Sequence, residues 1–241
     1  MDFKMIIKKL FRNKLTRRIH QKYVAYKRQK GIEYFHQHGL AVLKDFDEAM
    51  TNAGYPYSLA FGSLLGAIRE RSFIPHDDDI DTAMWIEDWS PRMQVVLQEA
   101  GFKLTHVFDI DGKRLGYEET YVKDGVVVDI FFFYKDVVGD SYYCDFRTLK
   151  GASSFADSMR KYGKVQARKL YVPLSKDICR IPFMGISVNI PENYAAFLTA
   201  RYGDDYMTPM ASWSWEKAHP GVPNPNVIIW DEVHATFTHI K

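Results

Sequence analysis

Between Leu40 and Met50 apolar residues recur at three- and four-residue steps, with Leu43, Phe46 and Met50 on one face. This spacing predicts an amphipathic helix, with Gly54 as its stop. The pattern then shortens. "YSLAF" (57–61) reads as a brief strand running into Gly62-Ser63, and "LLGAIRER" (64–71) as a helix opening directly after it. "DDIDTAMW" (78–85) is a second strand. Ser90-Pro91 supplies a cap and first turn for a helix that runs to Ala100 and stops at Gly101. Asp111-Gly112 and Asp124-Gly125 are hairpin-turn signals separating three strands, the last being "VVVDIFFFY" (126–134). A smaller lobe is expected from about Gly151, with a polar helix, a hairpin around Met184-Gly185 and a helix from Pro191 to Tyr202 ended by Gly203. Strands and helices mixed in this order predict an α/β (α+β) fold, a mixed sheet with flanking helices. The expected division is a segment 1–30, a core 31–150 and a C-terminal lobe 151–241.

Composition changes this picture little. At 241 residues, 46% of them apolar and 15% aromatic, the chain has material for a sizeable core and is not disordered. Its two cysteines, Cys144 and Cys179, give neither a disulfide framework nor a zinc spacing. No apolar run reaches the length of a membrane span; Val126 to Tyr134 is broken by Asp129. The expected location is therefore the cytoplasm.

Charge changes it more. The net charge of +2 conceals +10 in residues 1–30, where eleven Lys/Arg accompany one acid, Asp2, and −8 in the remainder. Phe3, Ile6, Ile7, Leu10, Phe11, Leu15 and Ile19 recur among these cations at helical steps. A basic amphipathic helix of this kind suits the surface of an anionic bilayer, so peripheral contact with the inner face of the membrane is expected. A solvated helix is the plainer alternative. Nothing in the pattern calls for nucleic acid.

The candidate chemistry begins with "IPHDDDIDTAM" (74–84), which holds four aspartates beside His76. On a strand, Asp77, Asp79 and Asp81 would share one face and Asp78 the other. Same-face neighbours lie about 6.5–7 Å apart, and at an effective dielectric near 20 each pair repels by about 2.5 kcal/mol. Ala83, Met84 and Trp85 carry the strand into apolar surroundings. A divalent cation is then the economical way to hold the carboxylates together, and oxygen ligands suit Mg2+ or Mn2+. Asp129 adds independent weight. Inside an otherwise apolar strand its ionised form costs several kcal/mol unless paired, protonated or on a metal. A Gly-Ser turn, a helix, a strand with Asp-Ile-Asp and a later strand with a third Asp form a joint pattern.

That pattern resembles the DNA polymerase beta-like nucleotidyltransferase superfamily. Within it, "GSLLGAIRERSFIPHDDDID" (62–81) is similar to the LicD family of phosphocholine transferases, which also includes fukutin-related phosphoribitol transferases. "VVVDIFFFY" and "IPENYAAFLTARYGDDYMTP" (190–209) continue the likeness, which covers roughly residues 31–220. The resemblance implies a nucleotidyltransferase-like core over 31–150 and an active site completed by the C-terminal lobe. It makes Asp79 and Asp81 the metal-binding pair and Asp129 the third carboxylate. It brings Gly62 and Ser63 to a phosphate and places Arg69 and His76 near the donor. It implies a transferase that moves an alcohol phosphate from a nucleotide-diphosphate-alcohol donor, of the CDP-alcohol type, to a hydroxyl of a glycan or lipid-linked glycan. One departure is Met210, where the family often carries a second proline after "MTP".

Three alternatives share parts of this pattern. A nucleotidyltransferase using a nucleoside triphosphate would show the same core motif. A glycosyltransferase with a metal-binding Asp-x-Asp would open with a parallel nucleotide-binding sheet, whereas the segment before Gly62 reads as mostly helical. A calcium-stabilised binding module would leave the Gly-Ser turn and Asp129 without a reason.

Overall fold

The computed structural model describes residues 14–137, 141–147, 149, 151–152, 155–209, 227–233 and 235–240. The predicted helix is longer than its apolar stripe. α1 spans Lys14–Asn52, 39 residues, about 58 Å at 1.5 Å per residue. Its second half buries Phe35, Val42, Leu43, Phe46 and Met50, while every residue from Arg18 to Gly31 is exposed. Of the N-terminal apolar positions, Ile19 is 59% exposed. Phe3, Ile6, Ile7, Leu10 and Phe11 lie outside the described residues.

β1 (Ser58–Leu59) leads into α2 (Phe61–Leu65), which continues as a π-helical turn over Gly66–Glu70. β2 (Asp79–Trp85) and a 3-10 turn precede α3 (Pro91–Glu99). Three long strands follow: β3 (Lys103–Ile110), β4 (Gly116–Lys123) and β5 (Val126–Lys135). The predicted turns between them take successive positive φ angles, 58°, 63° and 64° at Asp111, Gly112 and Lys113 in a longer connection and 47° and 75° at the two-residue Asp124-Gly125 turn. The latter pair matches the twist of the flanking strands.

The sheet is mixed. β5 pairs in parallel with β2 and antiparallel with β4, so it lies between them. Beyond it run β6 (Ser141–Arg147), α4 (Phe155–Tyr162) and β7 (Val165–Tyr171). The β8–β9 hairpin (Ile178–Phe183 and Ile186–Pro191), α5 (Tyr194–Tyr202), β10 (Val227–Val233) and β11 (Ala235–His239) complete the described elements. β6 pairs with the end of β5 and with β7, and β7 with β10, so strand pairing runs across the expected boundary near Gly151.

Two polar ties fix these layers. Arg180 of β8 donates to both oxygens of Asp47 on α1, at 2.9 and 2.7 Å, and Tyr57 donates to the same carboxylate. On the back of the sheet Glu119 is fully buried. It accepts from Trp89, Gln94, Tyr117 and Tyr121 at 2.9, 2.6, 2.8 and 2.6 Å, which seats α3 and its lead-in turn on β4.

Candidate active site

Sheet register builds the acidic group. In the parallel ladder Asp81 lies directly opposite Asp129, and Asp79 is two residues along the same face. One oxygen from each of Asp79, Asp81 and Asp129 falls within 4.8 Å of the others. All three residues are half-buried. Burial, with charge from neighbouring aspartates, pushes their carboxyl groups up: Asp79 to about 6, Asp129 to about 7, and Asp81 well above the ordinary value. Asp81 feels Asp79, Asp129 and Asp77 together. Three converging carboxylates, uncomfortable when ionised, are a hard oxygen donor set that can hold a metal ion.

Asp129 has specific support. Thr120 on β4 donates to its Oδ1 at 2.6 Å, which favours the charged form, and Thr82 donates to its backbone carbonyl at 2.9 Å. Sequence reasoning did not single out Thr120, although a signal was present. A two-residue turn at Asp124-Gly125 pairs Lys123 with Val126, and counting back places Thr120 against Asp129, as found.

The Gly-Ser pair lies inside the first turn of α2 rather than before the helix. Gly62 N–H donates to Asp81 Oδ2 at 3.0 Å. A Cβ on Gly62 would lie 2.8 Å from Asp77 Oδ2 and 3.2 Å from Asp81 Oδ2, so any larger residue would displace these carboxylates. Ser63 is buried, and its Oγ accepts from Asp81 N–H at 3.0 Å. Phe61 holds φ at +40°, an uncomfortable value for a bulky residue. Rings of Phe131, Tyr143 and Phe197 pack around it at 4.8–5.6 Å between centroids. That packing fixes the turn which aims Gly62 N–H at Asp81.

The strand begins at Asp79, so Asp77 and Asp78 sit in the preceding turn, not on its faces. This corrects the expected face-sharing of Asp77. Its amide bonds to Ile74 O at 3.0 Å, and that turn still brings its carboxylate to Gly62. Burial and then Asp79 and Asp78 push Asp77 up to about 7, with Arg69 opposing. Asp78 is exposed.

A pocket of about 380 Å³ opens beside the carboxylates, and Gly62 and Asp77 stand on its wall. Arg69 and His76 line it, with Tyr202, Asp205 and Tyr206 from the end of α5 and the loop after it. The structure thus brings Gly62, Arg69 and His76 together at one opening next to Asp79, Asp81 and Asp129. Met210 lies outside the described residues.

The sequence that builds this site has counterparts among known proteins. The family model for the LicD/FKTN/FKRP nucleotidyltransferase domain matches residues 54–193, which include all three carboxylates. Ribitol-5-phosphate transferase FKTN of Mus musculus is 29% identical over 192 residues, covering 77% of this chain and 37% of that protein. Ribitol 5-phosphate transferase FKRP of Homo sapiens is 27% identical over 186 residues, covering 73% of this chain and 31% of that protein. The chain thus spans about a third of the length of these curated relatives. A solved lincosamide antibiotic adenylyltransferase, LnuA with lincomycin bound, aligns at a TM-score of 0.36 and 9% identity over 66% of this chain and 89% of that one, too remote to bear on function. With its matched segment running from before the Gly-Ser turn to past the third carboxylate, the chain belongs to the LicD/FKTN/FKRP nucleotidyltransferase-domain family.

Proposed function

We propose that this chain is a metal-dependent phosphotransferase that moves an alcohol phosphate from a CDP-alcohol donor to a hydroxyl of a glycan, releasing CMP. The observation that carries the reading is the convergence of Asp79, Asp81 and Asp129 beside a pocket, in a family whose similar members are named for ribitol phosphate transfer. Asp79 and Asp81 bind the cation, with Asp129 as third ligand. Magnesium or manganese held there would supply positive charge to neutralise the donor diphosphate. Gly62 stands on the wall of the pocket that a donor phosphate would enter, with Ser63 buried beneath it. Asp129 also faces the incoming hydroxyl and takes its proton as the oxygen attacks the distal phosphorus. The new O–P bond forms while the bond to the CMP oxygen breaks, and CMP leaves with that electron pair. Arg69 and His76 line the donor side.

Turnover with CDP-ribitol, CDP-glycerol or CDP-choline and Mg2+ tests this. CMP should appear in step with alcohol phosphate on the acceptor, and a chelator should stop it. Asp79→Asn, Asp81→Asn and Asp129→Asn should each cut the rate by about 10³-fold or more while the protein stays folded by circular dichroism. Pyrophosphate release from a nucleoside triphosphate, with nucleotide left on the acceptor, would instead make the chain a nucleotidyltransferase.

A further inference from the structure

We propose that Arg69 is a latch: its guanidinium holds the loop 203–209 in place as a wall of the pocket, and governs donor binding through that loop. α2 does not end as an ordinary helix. Its π-helical turn closes so tightly on Gly66 that a Cβ there would lie 2.6 Å from Ser72 O, and Arg71 then turns left-handed at φ +53°. A π turn adds a residue to the helical circuit and re-aims the side chains on it. Arg69 lies within this turn, and its side chain is only 11% exposed. It crosses 137 residues of sequence to donate from Nη1 to Tyr206 O at 3.1 Å.

The other end of the latch is built to receive it. Gly203, at φ +94°, breaks α5. Tyr206 N–H returns to Gly203 O at 3.3 Å and Thr208 N–H to Asp205 O at 2.7 Å. These bonds are local, so they shape the loop without attaching it to the body. The Arg69–Tyr206 bond ties its backbone to the π turn after α2, alongside the packing of the half-buried Tyr206 side chain against the core. Tyr206, Asp205, Thr208 and Pro209 then face Leu65, Ile74 and Pro75 across the pocket.

Charge supports the same assignment. Arg69 Nε donates to Glu70 Oε1 at 2.7 Å, and the guanidinium also opposes the upward push on Asp77. A cation already paired with Glu70 is a weaker anchor for a phosphate and a good strut for a carbonyl. The assignment rests on the phosphotransferase reading only for the pocket's occupant, the donor nucleotide.

The test is Arg69→Gln, with Arg69→Lys beside it, read by chymotrypsin cleavage at Tyr202 and Tyr206, by CMP and Mn2+ affinity, and by the split between donor KM and kcat. In Arg69→Gln the loop should be cut about tenfold faster and CMP bound about tenfold more weakly, the loss expected for a charge-assisted hydrogen bond. Mn2+ affinity should hold, and the kinetic loss should fall on donor KM more than on kcat. Arg69→Lys retains the charge without the fork and should also loosen the loop. A collapse of kcat with loop cleavage unchanged would overturn the latch in favour of direct phosphate contact. So would wild-type CMP affinity in Arg69→Lys with the loop cut freely. Faster cleavage in a protein that shows no CDP-alcohol turnover in its wild-type form would sink the phosphotransferase reading and leave the latch standing.

Discussion

Asp77, Asp79, Asp81 and Asp129 all hold protons more tightly folded than unfolded, because burial and one another's charge disfavour ionisation. Below about pH 4 both states are protonated and these groups contribute nothing. As pH rises the unfolded chain releases protons that the folded one keeps, so metal-free stability falls from about pH 4 through about pH 7. Asp136 works the other way, held down to about 2 by hydrogen bonds from Lys169 and Tyr171, but it acts below this window. Thermal unfolding in chelator at half-unit steps should show the decline, and Asp129→Asn should flatten it. A slope identical in the variant would remove Asp129 from the acidic group. Metal should reverse the trend, because only ionised carboxylates bind it and affinity climbs with pH. At this scale the sequence was informative wherever neighbours in the chain are neighbours in space. Asp79 and Asp81 fall on one strand face by alternation alone, and an acid inside "VVVDIFFFY" needs a partner on any reading. The Arg69–Tyr206 contact had no such signal, since nothing local records which carbonyl a guanidinium will reach.

The elements were legible where their punctuation is strong. Asp-Gly turns fix the β3–β4–β5 meander, Ser90-Pro91 starts α3, and Gly203 ends α5. Two departures have physical causes. α1 extends to Lys14 beyond its apolar stripe, because good helix formers continue a nucleated helix at little cost. β2 begins at Asp79, because the turn returning from α2 uses Asp77 and Asp78. Glu119 was invisible: "YEETYV" reads as a half-exposed strand, and burial becomes tolerable only when Trp89 and Gln94 from α3 and the turn before it join Tyr117 and Tyr121 of β4 as donors. Those donors predict the cost of losing it. Glu119→Ala strands the buried Tyr117 and Tyr121 donors and the half-buried Trp89 and Gln94 donors, and urea unfolding should show a loss of about 3 kcal/mol. A loss under about 1 kcal/mol would mean that water replaces the carboxylate without penalty. Since Glu119 is on the opposite face from Asp129, metal affinity of the folded fraction should be unaffected.

Over the whole molecule the charge is split between an exposed helical arm and an acidic body. Arg18 to Gly31 stand clear of the core, with Ile19, Tyr23, Val24 and Tyr26 at least half exposed among cations. No helix among the described residues is long and apolar enough to cross a membrane. The arm is therefore proposed to rest on an anionic bilayer, where a lipid-linked acceptor would be presented. Deleting residues 1–28 should at least halve co-sedimentation with phosphatidylserine vesicles at low salt, and leave turnover on a soluble acceptor near the full-length rate. Equal sedimentation with and without the arm would refute it. The parallel register that sets Asp81 opposite Asp129 has a further consequence. The oxygens of the proposed metal site are spaced by the backbone of the parallel β2–β5 pair, whereas one wall of the adjoining pocket is a short loop. On the proposed reading, chemistry and substrate choice would be stored in separate parts of the chain, and residues 203–209 could diverge toward a new donor or acceptor without any strand being re-laid.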